Sequence, residues 1–382
     1  MTRRAQWLGA GALAAALACA GPAPAPPQPV PLLAPASVAT RLYLIGDAGK
    51  PDSTGEPVLE ALKRDLAAGG SDRVVVFLGD NAYPRGLPAP GRPGRRAAER
   101  SLTAQMDAVL GTGARGFFVP GNHDWAKHGR DGWEAIKRQE RFVDSVGRST
   151  VKLAPGGGCP GPEVVDVGTR LRLVLLDTQW WLHPGPRPQG SESGCVPATE
   201  AAVVVSLRAA VTGAGGRMVV VAQHHPLMSG GVHGGYFGFL DHLFPLRTVK
   251  RSLWIPLPLL GSLYPTARLE GISRQDIGSR AYQHMIAAFR RAYRATPPAL
   301  SAAGHEHNLQ VIDGGAAGLQ LVSGSGIYGH SGRAARISGS LFNKDASGFA
   351  RLDIPRAGSA RLAILKVDRA GTAREVFSTW VE

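Results

Sequence analysis

Four apolar runs in this chain stop on the same kind of residue, and that constrains its fold more than anything else. RLYLIGD (41–47), RVVVFLGD (73–80), GFFVPGN (116–122) and RMVVVAQHH (217–225) each break from hydrophobic sequence into Gly-Asp, Gly-Asn or Gln-His-His. LRLVLLDT (171–178) has the same form. Runs of Val, Ile, Leu and Phe with little alternation suit strands buried on both faces. Between them, EPVLEALKRDLAA (56–68) repeats Val58, Leu59, Leu62 and Leu66 at three-to-four spacing. RRAAERSLTAQMDAVL (95–110) and DGWEAIKRQERFVDSVG (131–147) follow the same rule. Strand and helix in alternation predict an α/β layered fold with parallel strands. Over the last eighty or so residues the pattern changes. LQVID, LQLVSGS, GFARLDI, RLAILKV and VFSTWVE are short strand-like runs with little helix between. They predict a second sheet, part of it antiparallel, packed on the first.

In such sheets ligands sit outside the carboxyl ends of the strands, so Asp47, Asp80, Asn122 and His224 are expected on one rim. Gly304-His305-Glu306-His307, after the apolar PALSAA, adds two more imidazoles. Two aspartates, an asparagine and three histidines exceed what one structural ion needs. They suit two metal ions sharing a carboxylate, an arrangement that clamps both oxygens of an in-line displacement.

The ends of the chain bear on where this chemistry would happen. Met1-Thr2-Arg3-Arg4 and the small-residue apolar run to Gly21 have the layout of a secretory signal, too short to span a bilayer. We assign 1–20 as signal peptide, 21–38 as a Pro/Ala-rich spacer and 39–382 as the catalytic domain, with an insertion at about 231–275. Either Ala18-Cys19-Ala20 is an ordinary cleavage site, or Leu17-Ala18-Cys19 resembles a bacterial lipobox with Cys19 lipidated. The protein is thus expected to be exported: a periplasmic or cell-envelope lipoprotein, alternatively secreted. Cys159 and Cys195 then remain, as a disulfide staple or as two free thiols. The net charge of +14 favours anionic partners. The basic residues are scattered, so a phosphorylated small molecule is expected and nucleic acid is not.

The ordered motifs GD (46–47), GDN (79–81), GNHD (121–124), a post-strand His224 and GHEH (304–307) resemble those of the calcineurin-like metallophosphoesterases. That resemblance implies a four-layer αββα sandwich of two mixed β-sheets. One ligand departs from the common pattern: Gly46-Asp47-Ala48-Gly49 lacks a histidine two residues after the aspartate. The purple acid phosphatases lack it too, and supply tyrosine from Gly-Asp-x-x-Tyr; here Gly79-Asp80-Asn81-Ala82-Tyr83 has that form. GHEHNLQ (304–310) resembles the final motif of the same subgroup. The resemblance implies a first ion, ferric iron, held by Asp47, Asp80, Tyr83 and His307. It implies a second, divalent iron, zinc or manganese, held by Asp80, Asn122, His224 and His305. It further implies phosphomonoester hydrolysis by attack of metal-bound hydroxide on phosphorus. His123 would face the substrate with Asp124 orienting its ring, and His233, nine residues past His224, would be a second substrate-facing histidine. His225 is expected to be a wall rather than a ligand, and His128, His183, His242, His284 and His330 to be ordinary histidines. Trp180 and Trp181 are open between pocket wall and core.

Residues 237–271 are apolar, proline-broken and basic in the middle, and they leave one expected ligand and return toward another. A substrate-selecting lid is one expectation, and a patch that touches the membrane surface is the other. A phosphodiesterase on the same metal site, or a non-catalytic binder of acidic polymer or lipid, are the alternative functions.

Overall fold

The computed structural model describes residues 29–52, 55–70, 72–248, 252–258 and 260–382. The expected signal peptide and Cys19 lie outside the described residues. Along the chain run β1 (Val38–Ile45), β2 (Asp72–Phe77), β3 (Arg115–Phe118), β4 (Val151–Leu153), β5 (Glu163–Val167), β6 (Leu171–Leu175) and β7 (Met218–Ala222). β8 (Leu300–Ala303), β9 (Leu309–Asp313), β10 (Leu319–Ser323), β11 (Ser340–Lys344), β12 (Gly348–Pro355), β13 (Ala360–Val367) and β14 (Ala373–Val381) complete the set. They form two seven-stranded mixed sheets, ordered β14-β13-β12-β1-β2-β3-β4 and β11-β9-β10-β8-β7-β6-β5.

Alternate residues of the apolar runs serve two different cores, which is why the runs do not alternate in polarity. On β1, Leu42 and Leu44 face Leu173, Val220 and Leu321 of the other sheet. Tyr43 and Ile45 face outward into a cluster with Val58 and Leu62 of the helix Pro57–Ala67. Full burial of each such side chain stabilises the fold by about 1.5–3 kcal/mol. The helices are started by local chemistry. Glu56 accepts from the Val58 N–H ahead of Pro57, and the side chains of Thr199 and Ser279 cap Glu200–Thr212 and Arg280–Tyr293.

The second sheet is not assembled from the C-terminal strands alone. LRLVLLDT and RMVVVAQHH supply its β6 and β7, parallel to β8 and β10. β12–β14 return to the first sheet, where β12 runs antiparallel to β1 with Leu42 opposite Leu352. Strand composition carries no address: both sheets offer strands buried in apolar surroundings on both faces, and only the chain's path decides which edge a run joins. The Pro/Ala-rich spacer also reaches the fold, since buried Arg361 donates to the Val30 and Pro31 carbonyls.

Cys159 and Cys195 form a disulfide, with Cα atoms 5.5 Å apart and 36 residues of separation. Closing a loop of that length stabilises a fold by about 2–4 kcal/mol. Paired Cys159→Ser and Cys195→Ser substitution should lower the melting midpoint by several degrees, and a midpoint unchanged in calorimetry would mean the loop is held by its packing instead.

Candidate metal centre

The rim forms where the two sheets meet. The Gly46 N–H donates to the Ser323 carbonyl at 2.7 Å, and the Asp47 N–H to the Gly79 carbonyl at 2.9 Å. Asp47, Asp80 and His305 all leave their strands in the left-handed region, with φ of 57°, 55° and 69°. Aspartate and histidine tolerate that region better than most residues, but three such turns in one cleft are strain held by their surroundings. Two glycines make the approach possible. A Cβ on Gly79 would lie 2.4 Å from His224 Nδ1, and one on Gly49 would lie 2.3 Å from the Asn81 carbonyl carbon. Gly49 occupies the place where the missing histidine's neighbourhood would be, and its carbonyl accepts from the Tyr83 N–H at 3.1 Å. The same turn that lacks the histidine therefore docks the tyrosine.

The expected ligand atoms gather into two groups. Tyr83 Oη lies 3.0 Å from Asp47 Oδ1, 3.1 Å from Asp80 Oδ2 and 3.2 Å from His307 Nε2. His307 Nε2 is 3.3 Å from Asp47 Oδ1. In the other group, Asn122 Oδ1 is 3.1 Å from His224 Nε2 and 3.2 Å from His305 Nδ1, and the two ring nitrogens are 3.3 Å apart. His224 Nε2 is 3.5 Å from Asp80 Oδ1. Donors bound to one ion at roughly 2.0–2.2 Å are themselves roughly 3.0–3.5 Å apart, so each group has the spacing of a single coordination sphere. Asp80 presents Oδ2 to one and Oδ1 to the other.

Ring tautomers agree with this. A carbonyl only accepts, so His224 Nδ1–H donates to Leu78 at 2.8 Å and leaves its Nε2 lone pair for the cleft. His305 Nε2–H donates to the Gln275 carbonyl at 3.0 Å and leaves Nδ1. Such outer hydrogen bonds are what orient metal-binding imidazoles. Burial, and then the charges of Asp47 and Asp80, hold the Tyr83 phenol well above its ordinary range. Two nearly buried carboxylates and a phenol in mutual contact suit a cation, whose charge inverts that effect.

Other candidates stand in different relations to the cleft. His123 is anchored by Nδ1–H to the Pro84 carbonyl at 2.6 Å, with Nε2 3.8 Å from Asp80 Oδ2. Asp124 does not orient that ring. Its side chain turns away into the loop and accepts from the N–H groups of Gly121, Asn81 and Ala82 and from Gln139 Nε2. Successive residues of this turn point to opposite sides, so Asp124 holds the loops that carry Asp80 and Asn122. His233 packs its ring 4.0 Å from that of His305, and its Nδ1 lies 3.1 Å from Asp276 Oδ1 and 3.0 Å from Arg268 Nη2. His225 is near the ligand cluster, but Thr178 Oγ1 and Gln275 Oε1 occupy its two ring nitrogens at 2.8 and 2.7 Å.

Several contributors were not among the expected site residues. Gln275 and Asp276, where the insertion returns, hold His305, His225 and His233. Glu306 accepts from the N–H groups of His233 and Gly234 and so fixes their loop. His330 lies 4.4 Å, ring to ring, from His307. The insertion thus packs on the centre, while Phe239, Trp254, Leu260 and Leu263 on it remain exposed. No described helix is long and apolar enough to cross a membrane.

No family model and no curated protein matches this chain. Solved structures do. GAP50, the anchor in the inner membrane complex of Plasmodium, is 16% identical over 90% of this chain and 89% of its own, with TM-score 0.54. A purple acid phosphatase, PPD1, from yellow lupin (Lupinus luteus) seeds is 17% identical over 93% of this chain but 55% of its own, with TM-score 0.49. A dimetal phosphatase from Danio rerio is 13% identical over 90% of this chain and 99% of its own, also with TM-score 0.49. At such identities the likeness is one of architecture. The chain is a sandwich of two stacked seven-stranded mixed sheets and their helices, an α/β architecture that resembles that of GAP50.

Proposed function

We propose that this protein is an exported phosphomonoesterase with a binuclear metal centre, similar in kind to the purple acid phosphatases. The observation that carries this is the division of Asp80, one oxygen in each donor group. Asp47, Asp80, Tyr83 and His307 would hold the first ion; the phenolate, a hard anionic donor, favours ferric iron. Asp80, Asn122, His224 and His305 would hold divalent iron, zinc or manganese. Two such ions neutralise phosphoryl oxygens and make a nucleophile available near neutral pH.

The chain's own residues supply the rest. Leu78 and Gln275 fix the tautomers of His224 and His305 before any ligand arrives, so little reorganisation is left for binding. His123, steadied by Pro84, has Nε2 free to hold a phosphoryl oxygen or to pass a proton to the departing alcohol. His233 would flank the substrate from the other side, and the insertion that steadies it through Asp276 and Arg268 would act as a selecting lid. The Cys159–Cys195 disulfide supports an oxidising compartment.

The test is a paired assay on metal-loaded protein spanning residues 29–382. Hydrolysis of an aryl phosphomonoester and its matching diester is followed from acidic to alkaline pH. Monoester turnover should dominate and be strongest in acid. Preferred diester turnover would reassign the reaction, and no turnover of either with both ions bound would favour a binding protein.

A further inference from the structure

A second cluster of cations lies away from the metal centre, around a cavity of about 440 Å³. After β6 the chain makes a short turn, Gln179–Leu182, that buries Trp180 and Trp181, and His183 follows. Arg187 then folds back over the Trp180 ring, 4.1 Å from its centroid. It donates through Nη1 to the Trp181 carbonyl at 3.2 Å and through Nη2 to Glu200 Oε1 at 3.1 Å. Arg274, at the end of the insertion, donates through Nε to the Leu182 carbonyl at 2.8 Å. His284 takes the other oxygen of Glu200 at 2.7 Å.

Charge does not balance within this wall. The one carboxylate on it, Glu200, is already shared by Arg187 and His284. Among the described residues no carboxylate lies within ion-pair distance of Arg274, and its Nε is the one guanidinium nitrogen with a hydrogen-bond partner. His183 is only 3% exposed, lines the same cavity, and has no hydrogen-bond partner for either ring nitrogen among the described residues. Buried polar groups of this kind are rarely left unpaired without a use. Burial, and then the charges of His128, Arg187 and Arg274, push the His183 ring down to about 4. It is therefore a neutral ring at ordinary pH, with one N–H to donate, in a positive field.

We propose that this cavity is an anion site separate from the metal centre, taking a phosphate-sized oxyanion between the Arg274 and Arg187 guanidiniums and a ring N–H of His183. The Nη1 and Nη2 of Arg274 offer a fork that matches a tetrahedral oxyanion, and a neutral imidazole adds a directed hydrogen bond. Arg187, already bonded to Trp180, Trp181, Gln189 and Glu200, adds chiefly charge. Inorganic phosphate and the phosphoryl group of an ester share this chemistry, and for the ester Trp181 offers an apolar wall. Arg274 is followed directly by Gln275 and Asp276, so the site adjoins the turn that steadies His305 and His233.

The test separates this site from the metal centre. Binding of inorganic phosphate, and in parallel phenyl phosphate, is measured by calorimetry on the full chain carrying Asp80→Asn, which disables the centre as an anion site. One saturable site should remain, and His183→Leu or Arg274→Gln added to it should each weaken binding about tenfold or more, or ~1.4 kcal/mol. The tighter of the two probes identifies the source of the phosphoryl group. His183→Leu removes no protein hydrogen bond, so its melting midpoint should hold; Arg274→Gln gives a second reading if it does not. Absence of phosphate binding in Asp80→Asn, or binding that neither added substitution weakens, overturns the proposal.

Discussion

Asp80→Ala is expected to empty both halves of the proposed centre at once and to lower monoester turnover by at least about a thousandfold. Losing an outer residue that merely orients a metal ligand costs about 10–100-fold, and losing a single preorganised donor at the reacting oxygen costs about 10²–10³-fold. A carboxylate shared by two ions is both kinds of loss together. Its Oδ2 is 3.1 Å from the Tyr83 phenol and its Oδ1 is 3.5 Å from His224 Nε2. Asp47→Ala is the informative contrast: Asp47 Oδ1 sits with Tyr83 and His307 in the first group, while its Oδ2 meets the second only by accepting the backbone N–H of His305. Metal content per chain, measured after gel filtration in metal-free buffer, should fall by two ions in the first variant and chiefly by one in the second. Loss of a single ion from each variant, with a cooperative melt retained, would mean that Asp80 does not bridge and that the donor groups bind independently.

What could be seen in the sequence was which donors would gather in the candidate site, and the reason is geometric. A strand that enters the rim must end in whatever the rim requires, so ligand and strand end are adjacent in the chain, as in Leu78-Gly79-Asp80. Tyr83 was visible for the same reason, three residues on within one turn. The supporting layer obeys no such adjacency. Gln275 reaches His305 across 30 residues and Asp276 reaches His233 across 43, through an insertion with no periodicity to follow. Asp124 misled because neighbours in a tight turn diverge: a side chain one residue from His123 is carried to the opposite side of the loop. The return of β12 to β1 was hidden for another reason. Leu352 and Leu42 pair across some 310 residues, and nothing local in either run names its partner.

Tyr83→Phe is the change that separates a purple-acid-phosphatase-like centre from other two-metal centres. It deletes one oxygen and keeps the ring, whose packing 4.2 Å from the His123 ring should survive. With the phenol gone, the first group loses its central atom, the one within 3.0–3.2 Å of Asp47, Asp80 and His307. If ferric iron sits there, the wild-type protein absorbs in the visible through phenolate-to-iron charge transfer, and the variant should lose that band entirely. First-ion affinity should fall about 10–100-fold or more, while the proposed second ion, with Asp80, Asn122, His224 and His305 as its donors, should stay. Other tyrosines are poor substitutes: the Tyr282 hydroxyl donates to the Pro226 carbonyl and the Tyr264 hydroxyl accepts from Arg268. A visible band that persists in Tyr83→Phe would sink the ligand assignment. A wild type that binds two ions without colour, yet loses the first on the same substitution, would keep Tyr83 as ligand and replace ferric iron by a metal without that transition.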